Sequence, residues 1–259
     1  MITYFLAAAI LVLYTLGSFL PGVAGHAIEQ QLQKQYGPFE RLQATVVANP
    51  PIRTVGGEVE SLSIRANGFQ VEGLPIATAS VDTGPIGVNA GAMLFGRPAQ
   101  LTHPVTATAS AEVTEDGLNA FLRSPKIAKQ LKGIPTQISI LPGITVTSNI
   151  DVNPGRIRLQ AGKVVVDGSV FMGGTTIPFA ATASPRLVNE QQIALEDVQA
   201  TMMGAPLPSG VLNNASLRTF DLSKYQTPAG VYRLTELSVL PGALRIGARL
   251  EVKDLLTGK

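Results

Sequence analysis

Residues 240–252, LPGALRIGARLEV, set Leu244, Ile246, Ala248, Leu250 and Val252 against Arg245, Arg249 and Glu251 on alternate positions. Side chains along a strand change face at every residue, so this pattern demands a β-strand with one dry face. The alternation returns at Leu62, Ile64 and Ala66 against Ser61, Ser63 and Arg65, and strand-forming runs such as TQISILPGITVTSNIDV and GRIRLQAGKVVVDGSVFMG follow later. A chain so dominated by period two builds antiparallel sheet, because its turn signals are too closely spaced for parallel crossovers. An ordinary core and an apolar ligand leave the same alternation, which therefore leaves open what the dry face touches.

Helical spacing interrupts this pattern at two places. Ala24, Ile28, Leu32 and Tyr36 follow one another at i+4 steps and predict an amphipathic helix that ends at Gly37. Thr114 is a candidate N-cap, with Glu115 and Asp116 suited to the positive end of a helix dipole. Leu118, Phe121 and Leu122 form the inner stripe, and Ser124-Pro125 restarts a short helix carrying Ile127, Ala128 and Leu131 to Gly133. A helix followed by strands thus occurs twice, at about 22–110 and 112–252, the order of an α+β fold in one domain spanning 22–259. SILPG at 139–143 returns as SVLPG at 238–242, each ahead of another alternating run. MMGAPLPSGVLNNAS reads as a loop with one helical turn.

Residues 4–20, YFLAAAILVLYTLGSFL, carry no charge. Their length falls between a signal h-region and a spanning helix, and the small residues Gly22, Ala24 and Gly25 follow where a cleavage site would sit. The segment predicts export, with residues 1–21 either a signal peptide or a membrane anchor. Charged residues make up only 15% of the chain and the net charge is +2, which argues against nucleic acid as a partner. Cysteine is absent, so neither a disulfide frame nor a thiolate metal site is available.

Signatures of catalysis are scarce. His26 and His103 are the chain's two histidines, and no G-x-S-x-G elbow, H-E-x-x-H helix or P-loop occurs. The reading is of a protein that is not an enzyme and needs neither metal nor cofactor. Arg123, Lys126, Lys129 and Lys132 recur at every third position beside the apolar stripe of the second helical segment, a ridge that would suit either solvent or anionic lipid. Phe69, Phe171, Phe179, Met202 and Met203 are large or adaptable side chains near turns, the kind that conform to acyl chains as well as to cores.

The runs AEVTEDGLNAFLRSPKIAKQL, GAPLPSGVLNN and LRTFDLSKYQTPAGVYRLTELSVLPGALRIGARLEV, in that order, resemble the LmeA family of phospholipid-binding envelope proteins over residues 22–252. The resemblance implies a tubular lipid-binding fold: a long curved antiparallel sheet wrapped around two main helices and enclosing an apolar groove. It also implies an exported, membrane-associated protein of a bacterial envelope, on the periplasmic or cell-surface side of the inner membrane, with phospholipid or a fatty acyl chain as ligand. Side-chain parity and size then nominate as groove lining Leu118, Phe121, Leu122, Ile127, Leu131, Phe69, Phe171, Phe179, Met202, Met203, Leu244 and Ile246. Arg123, Lys126, Lys129 and Lys132 are nominated as the membrane-surface ridge. A structural envelope module with a filled core is the competing reading.

Overall fold

The computed structural model describes residues 21–50, 57–89, 100–141, 144–207, 219–221 and 230–253. The segment at 4–20 and most of the loop expected after Met202 lie outside these residues. Strand dominates, and all pairing is antiparallel. Among the described residues three helices accompany the strands: α1 (Pro21–Tyr36), α2 (Glu115–Leu122) and α3 (Pro125–Gln130). None among the described residues is long and apolar enough to cross a membrane.

One sheet contains β1 (Arg41–Val47), β3 (Ser61–Val71), β4 (Leu74–Thr83), β6 (Val105–Thr114), β15 (Ala243–Val252) and β14 (Gly230–Leu240), neighbours in that order. β2 (Glu58–Val59) and β5 (Ile86–Gly87) form a separate two-stranded ladder. A second sheet contains β7 (Ile134–Leu141), β8 (Ile144–Gln160), β9 (Lys163–Met172), β10 (Thr175–Asn189), β11 (Gln192–Met202) and β12 (Ala205–Pro206), each beside the next, with β13 (Thr219–Asp221) also on β11. The α+β class holds in its broad form, as open antiparallel sheets with short helices.

α1 forms because its apolar residues share one stripe, and it ends where Gly37 takes φ 84°. Ile28 and Leu32, on adjacent turns of that stripe, are completely buried with Leu62, Ile64, Val105 and Leu250. Each such side chain stabilises the fold by about 1.5–3 kcal/mol relative to exposure. Glu29 fixes the helix in place: its Oε1 accepts the Ala44 amide of the edge strand β1 at 2.8 Å. The dry face of the last strand divides accordingly. Ala248, Leu250 and Val252 lie in this core, whereas Leu244 and Ile246 are half-buried.

The two halves read from the sequence are not the two sheets. β14 and β15 leave the second half and join the first sheet, where β15 pairs with β6 from Ala243↔Thr114 to Val252↔Val105. Pairing there puts the apolar face of β15 over the same core as Ala107 and Ala109. Both LPG echoes separate paired strands, β7 from β8 and β14 from β15.

The sheets meet at their hairpins. Gly162, in the β8–β9 turn, donates to Val239 O at 2.9 Å, and Gly242, in the β14–β15 turn, donates to Leu159 O at 3.0 Å. Leu234 donates to Glu190 O, in the β10–β11 turn, at 2.7 Å. Leu187 and Ile193 of the second sheet pack against the core of the first, so apolar contact continues across the junction.

Candidate functional site

In the second sheet, strand register assigns every side chain to a face. Val152, Ile157 and Leu159 of β8 share one face with Val164, Val166 and Val170 of β9. The pairing carries that face on to Ile177, Phe179 and Ala181 of β10 and to Ile193, Leu195, Ala200 and Met202 of β11. A bulge between Pro154 and Arg156 advances the alternation by one residue and keeps β8 in phase. The opposite face carries the charges, including the pairs Arg158–Asp167 at 2.8 Å and Arg186–Glu196 at 2.9 Å. Of the apolar set only Leu159 is fully buried; the remainder are half-buried. Phe179 lies across Gly168, where an added Cβ would come within 2.7 Å of the ring, so the glycine makes room for the aromatic side chain.

The first sheet contributes a cavity of about 220 Å³ at the C-terminal end of α1. Phe69, Leu74, Ile76, Val113 and Ile246 form its walls, with Ala79, Ala109 and Ala111 among its lining. Alanines at these positions leave space that larger side chains would fill. The burial alternation of β3 advances by one at Gly68 (φ 59°), which brings Phe69 into one cluster with Ala66. Ser80 and Ser110, which also border the cavity, satisfy each other at 2.7 Å. Tyr36 closes one side, and burial raises the pKa of its hydroxyl above the ordinary tyrosine value. A cavity of roughly 150 Å³ with apolar walls already accepts a benzene-sized guest, so this one suffices for part of a hydrocarbon chain. A second cavity of about 620 Å³ shares Tyr36, Phe69 and Ile76 with it and adds the polar residues Glu40, Gln70 and Thr114.

α2 and the stretch after α3 run along the free edge of β8. Asn119, itself buried, accepts the Ile157 amide at 2.7 Å and donates to the Ile157 carbonyl at 2.8 Å, pairing with the edge as another strand would. Glu115 accepts the Leu159 amide at 2.8 Å and pairs with Arg156 at 3.1 Å. The Leu159 hydrogen bond is the main cause that lowers the Glu115 pKa, with Arg156 adding to it against the opposing effect of burial. Val152 donates to Leu131 O at 2.8 Å, and Pro154, which has no amide hydrogen to satisfy, occupies the interval. Thr114 caps α2 by accepting the Gly117 amide at 3.1 Å.

The residues nominated from the sequence are distributed among these features. Phe179 and Met202 face each other on the apolar side of the second sheet, while Phe69 and Ile246 line the cavity. Leu118 packs against the cluster of Ala66, Phe69, Ile76 and Val113; Phe121, Leu122, Ile127 and Leu131 are half-buried around α2 and α3, and Leu244 is half-buried on β15. Phe171 and Met203 lie apart from the apolar face. Phe171 has the parity opposite to Val170 and is 47% exposed, and Met203 stands in a turn at 73% exposure. The basic ridge does not occupy a single helix, because the chain breaks at Ser124-Pro125 and leaves Arg123 and Lys132 outside both helices. Lys126 pairs with Glu72 at 3.2 Å, and Arg123 Nε donates to Asn119 O at 3.1 Å. Val164, Val166, Val170, Ile177 and Ala181 were missed by a search for aromatic and methionine side chains, although the parity of β9 marks the first three. The edge role of Asn119 left no sequence signal, since its partner lies 38 residues away.

The second sheet is thus an antiparallel sheet with one long apolar face that is half-buried among the described residues. The LmeA-like phospholipid-binding family matches residues 15–249, and the chain belongs to that family. No curated protein and no solved structure matches it.

Proposed function

We propose that the chain binds phospholipid by laying acyl chain along the apolar face of the second sheet, with the cavity of the first sheet accepting its end. The carrying observation is that face: strand after strand from β8 to β11 presents aliphatic side chains that no element of the described fold fully covers. Membership of a phospholipid-binding family supports the same reading. Burying one methylene contributes about 0.8 kcal/mol, so a sixteen-carbon chain gains on the order of 10 kcal/mol before ordering costs. That is enough to hold a lipid without any reaction. The role is binding, and transfer between membranes where the lipid can leave again, on the outer side of the inner membrane, with residues 4–20 directing export or anchoring.

A phospholipid bearing a diazirine on its acyl chain tests this reading. Illumination is expected to label peptides from β9, β10 and β11, and Val170→Glu or Ala181→Glu is expected to abolish labelling while circular dichroism stays unchanged. Labelling spread evenly over the surface, or unaffected by either substitution, would overturn it and favour a module with a filled core.

A further inference from the structure

The hairpin turns of the second sheet lie at two ends with different chemistry. At one end, the β8–β9 and β10–β11 turns contact the first sheet and are flanked by Arg158, Lys163, Arg186, Glu190 and Glu196. At the other lie the β9–β10 and β11–β12 turns, brought together by Phe179↔Met202 and by the Met203 amide on Pro178 O at 2.9 Å. Toward this distal end charge thins out on both faces, leaving Asp151, which stands opposite Phe171 and accepts the Gly133 amide at 2.8 Å. Residues 168–185 and 198–207 contain no Asp, Glu, Lys, Arg or His, and neither do residues 133–141 and 144–150 of β7 and β8, the latter continuing β8 past the level of Phe171. With 15% of the chain charged, runs of this length would ordinarily carry several charges. What the distal end exposes instead is Phe171 at 47% and Met203 at 73%. Ser169, Thr176, Pro178 and Thr201 occupy its outer face, where the proximal half of the sheet carries ion pairs.

Large apolar side chains near turn tips, beside a zone poor in charge, match the boundary between the interface and the hydrocarbon of a lipid bilayer, where the cost of a charged group rises with depth and Ser or Thr costs little. The apolar face runs into this zone at Val170, Ile177 and Met202. We infer that the distal hairpin tips of the second sheet dock into a membrane, Phe171 and Met203 entering its interface, so that lipid passes between bilayer and apolar face without crossing water. The inference rests on the lipid-binding reading and adds where the membrane is met. It requires no anionic lipid, because no cation takes part.

The chain contains no tryptophan, so a single introduced indole reports on one place. Phe171→Trp probes the distal tips, and Val188→Trp, at a site 59% exposed near the β10–β11 turn, probes the opposite end. The full chain carrying either indole is reconstituted into phosphatidylcholine vesicles containing brominated acyl chains. Quenching is expected at 171 and not at 188, independent of salt. Met203→Asp, at a turn position whose positive φ an aspartate tolerates, is expected to weaken quenching at 171 by about tenfold or more in lipid concentration, the cost of carrying a charge toward hydrocarbon. Equal quenching at both positions, quenching that needs anionic lipid and vanishes in salt, or a blue shift at 171 that follows protein concentration without vesicles would each overturn the proposal. These outcomes point respectively to a flat-lying chain, to docking through the basic residues near α3, and to a second copy. Diazirine labelling of β9–β11 with no quenching at 171 would refute the docking and leave lipid binding standing; quenching at 171 without labelling would do the reverse.

Discussion

The two sheets of this molecule are written in the same alternating pattern and finished differently. In the first, α1 lies against the apolar face and drives Ile28 and Leu32 to complete burial against Leu62, Ile64 and Leu250. In the second, a longer apolar face from Val152 to Met202 has no such helix among the described residues; α2 contacts its edge at Ile157 and Leu159. Each of these two helices meets an edge strand through a side-chain hydrogen bond, Glu29 on Ala44 and Asn119 on Ile157, and each packs on the first sheet, α1 on its main core and α2 through Leu118 on the cluster of Ala66, Phe69, Ile76 and Val113. An antiparallel sheet commonly has one packed and one solvated face. Here the second sheet carries its ion pairs on one face, while the other is apolar and half-buried among the described residues. The difference teaches that alternation measures how dry a face must be, and does not say what keeps it dry.

The largest test of the contrast is core truncation. Leu32→Ala or Leu250→Ala removes a fully buried side chain and is expected to cost about 2–5 kcal/mol in urea unfolding, whereas Val166→Ala, half-buried on the second sheet, is expected to cost under about 1 kcal/mol in lipid-free protein. Equal losses would mean that the second face is already sealed. Next in size is Asn119→Ala, which strips the Ile157 amide and carbonyl of their partners at a buried edge; roughly 2–3 kcal/mol should be lost, with amide exchange at Ile157 and Leu159 accelerated ahead of the α1 core. A loss that spread evenly over both sheets would show that they unfold as one unit.

The smallest effect concerns acid. Glu115 has its pKa lowered on folding, so its contribution is present above the unfolded-state value near 4.5 and is lost as pH falls through the lower folded value. Glu115→Gln keeps an acceptor for the Leu159 amide but no charge. The variant should melt slightly below the parent at pH 7, and the gap should close as pH drops below 4.5 toward the folded value. A gap that widened instead would assign Glu115 a different partner.

Much of this architecture was legible in local pattern. The i+4 spacing of Ile28 and Leu32, the stop at Gly37, the Thr114 cap and the restart at Ser124-Pro125 each depend on neighbours a few residues away, and each stands where its spacing predicts. Phe171 shows the limit of reading by residue size: parity placed it opposite Val170, and the tip of a hairpin exposed it. The basic spacing of Arg123 to Lys132 was real in the sequence, but the break at Ser124-Pro125 that the sequence also marks divides it between two helices and the residues beyond them.

What the sequence determined by itself is the class of structure and its two-faced strands, because period two, caps and turns are written in adjacent residues. Which strands share a sheet was decided only in three dimensions. β15 lies over 130 residues beyond its partner, as the Arg245–Glu112 pair with a separation of 133 records, and no local signal spans that distance. Tertiary structure likewise decided that α1 and α2 both pack on the first sheet while α2 also serves the edge of β8. Coverage depends on where a helix lands relative to a sheet assembled from distant segments, and that position follows from packing rather than from the helix's own residues.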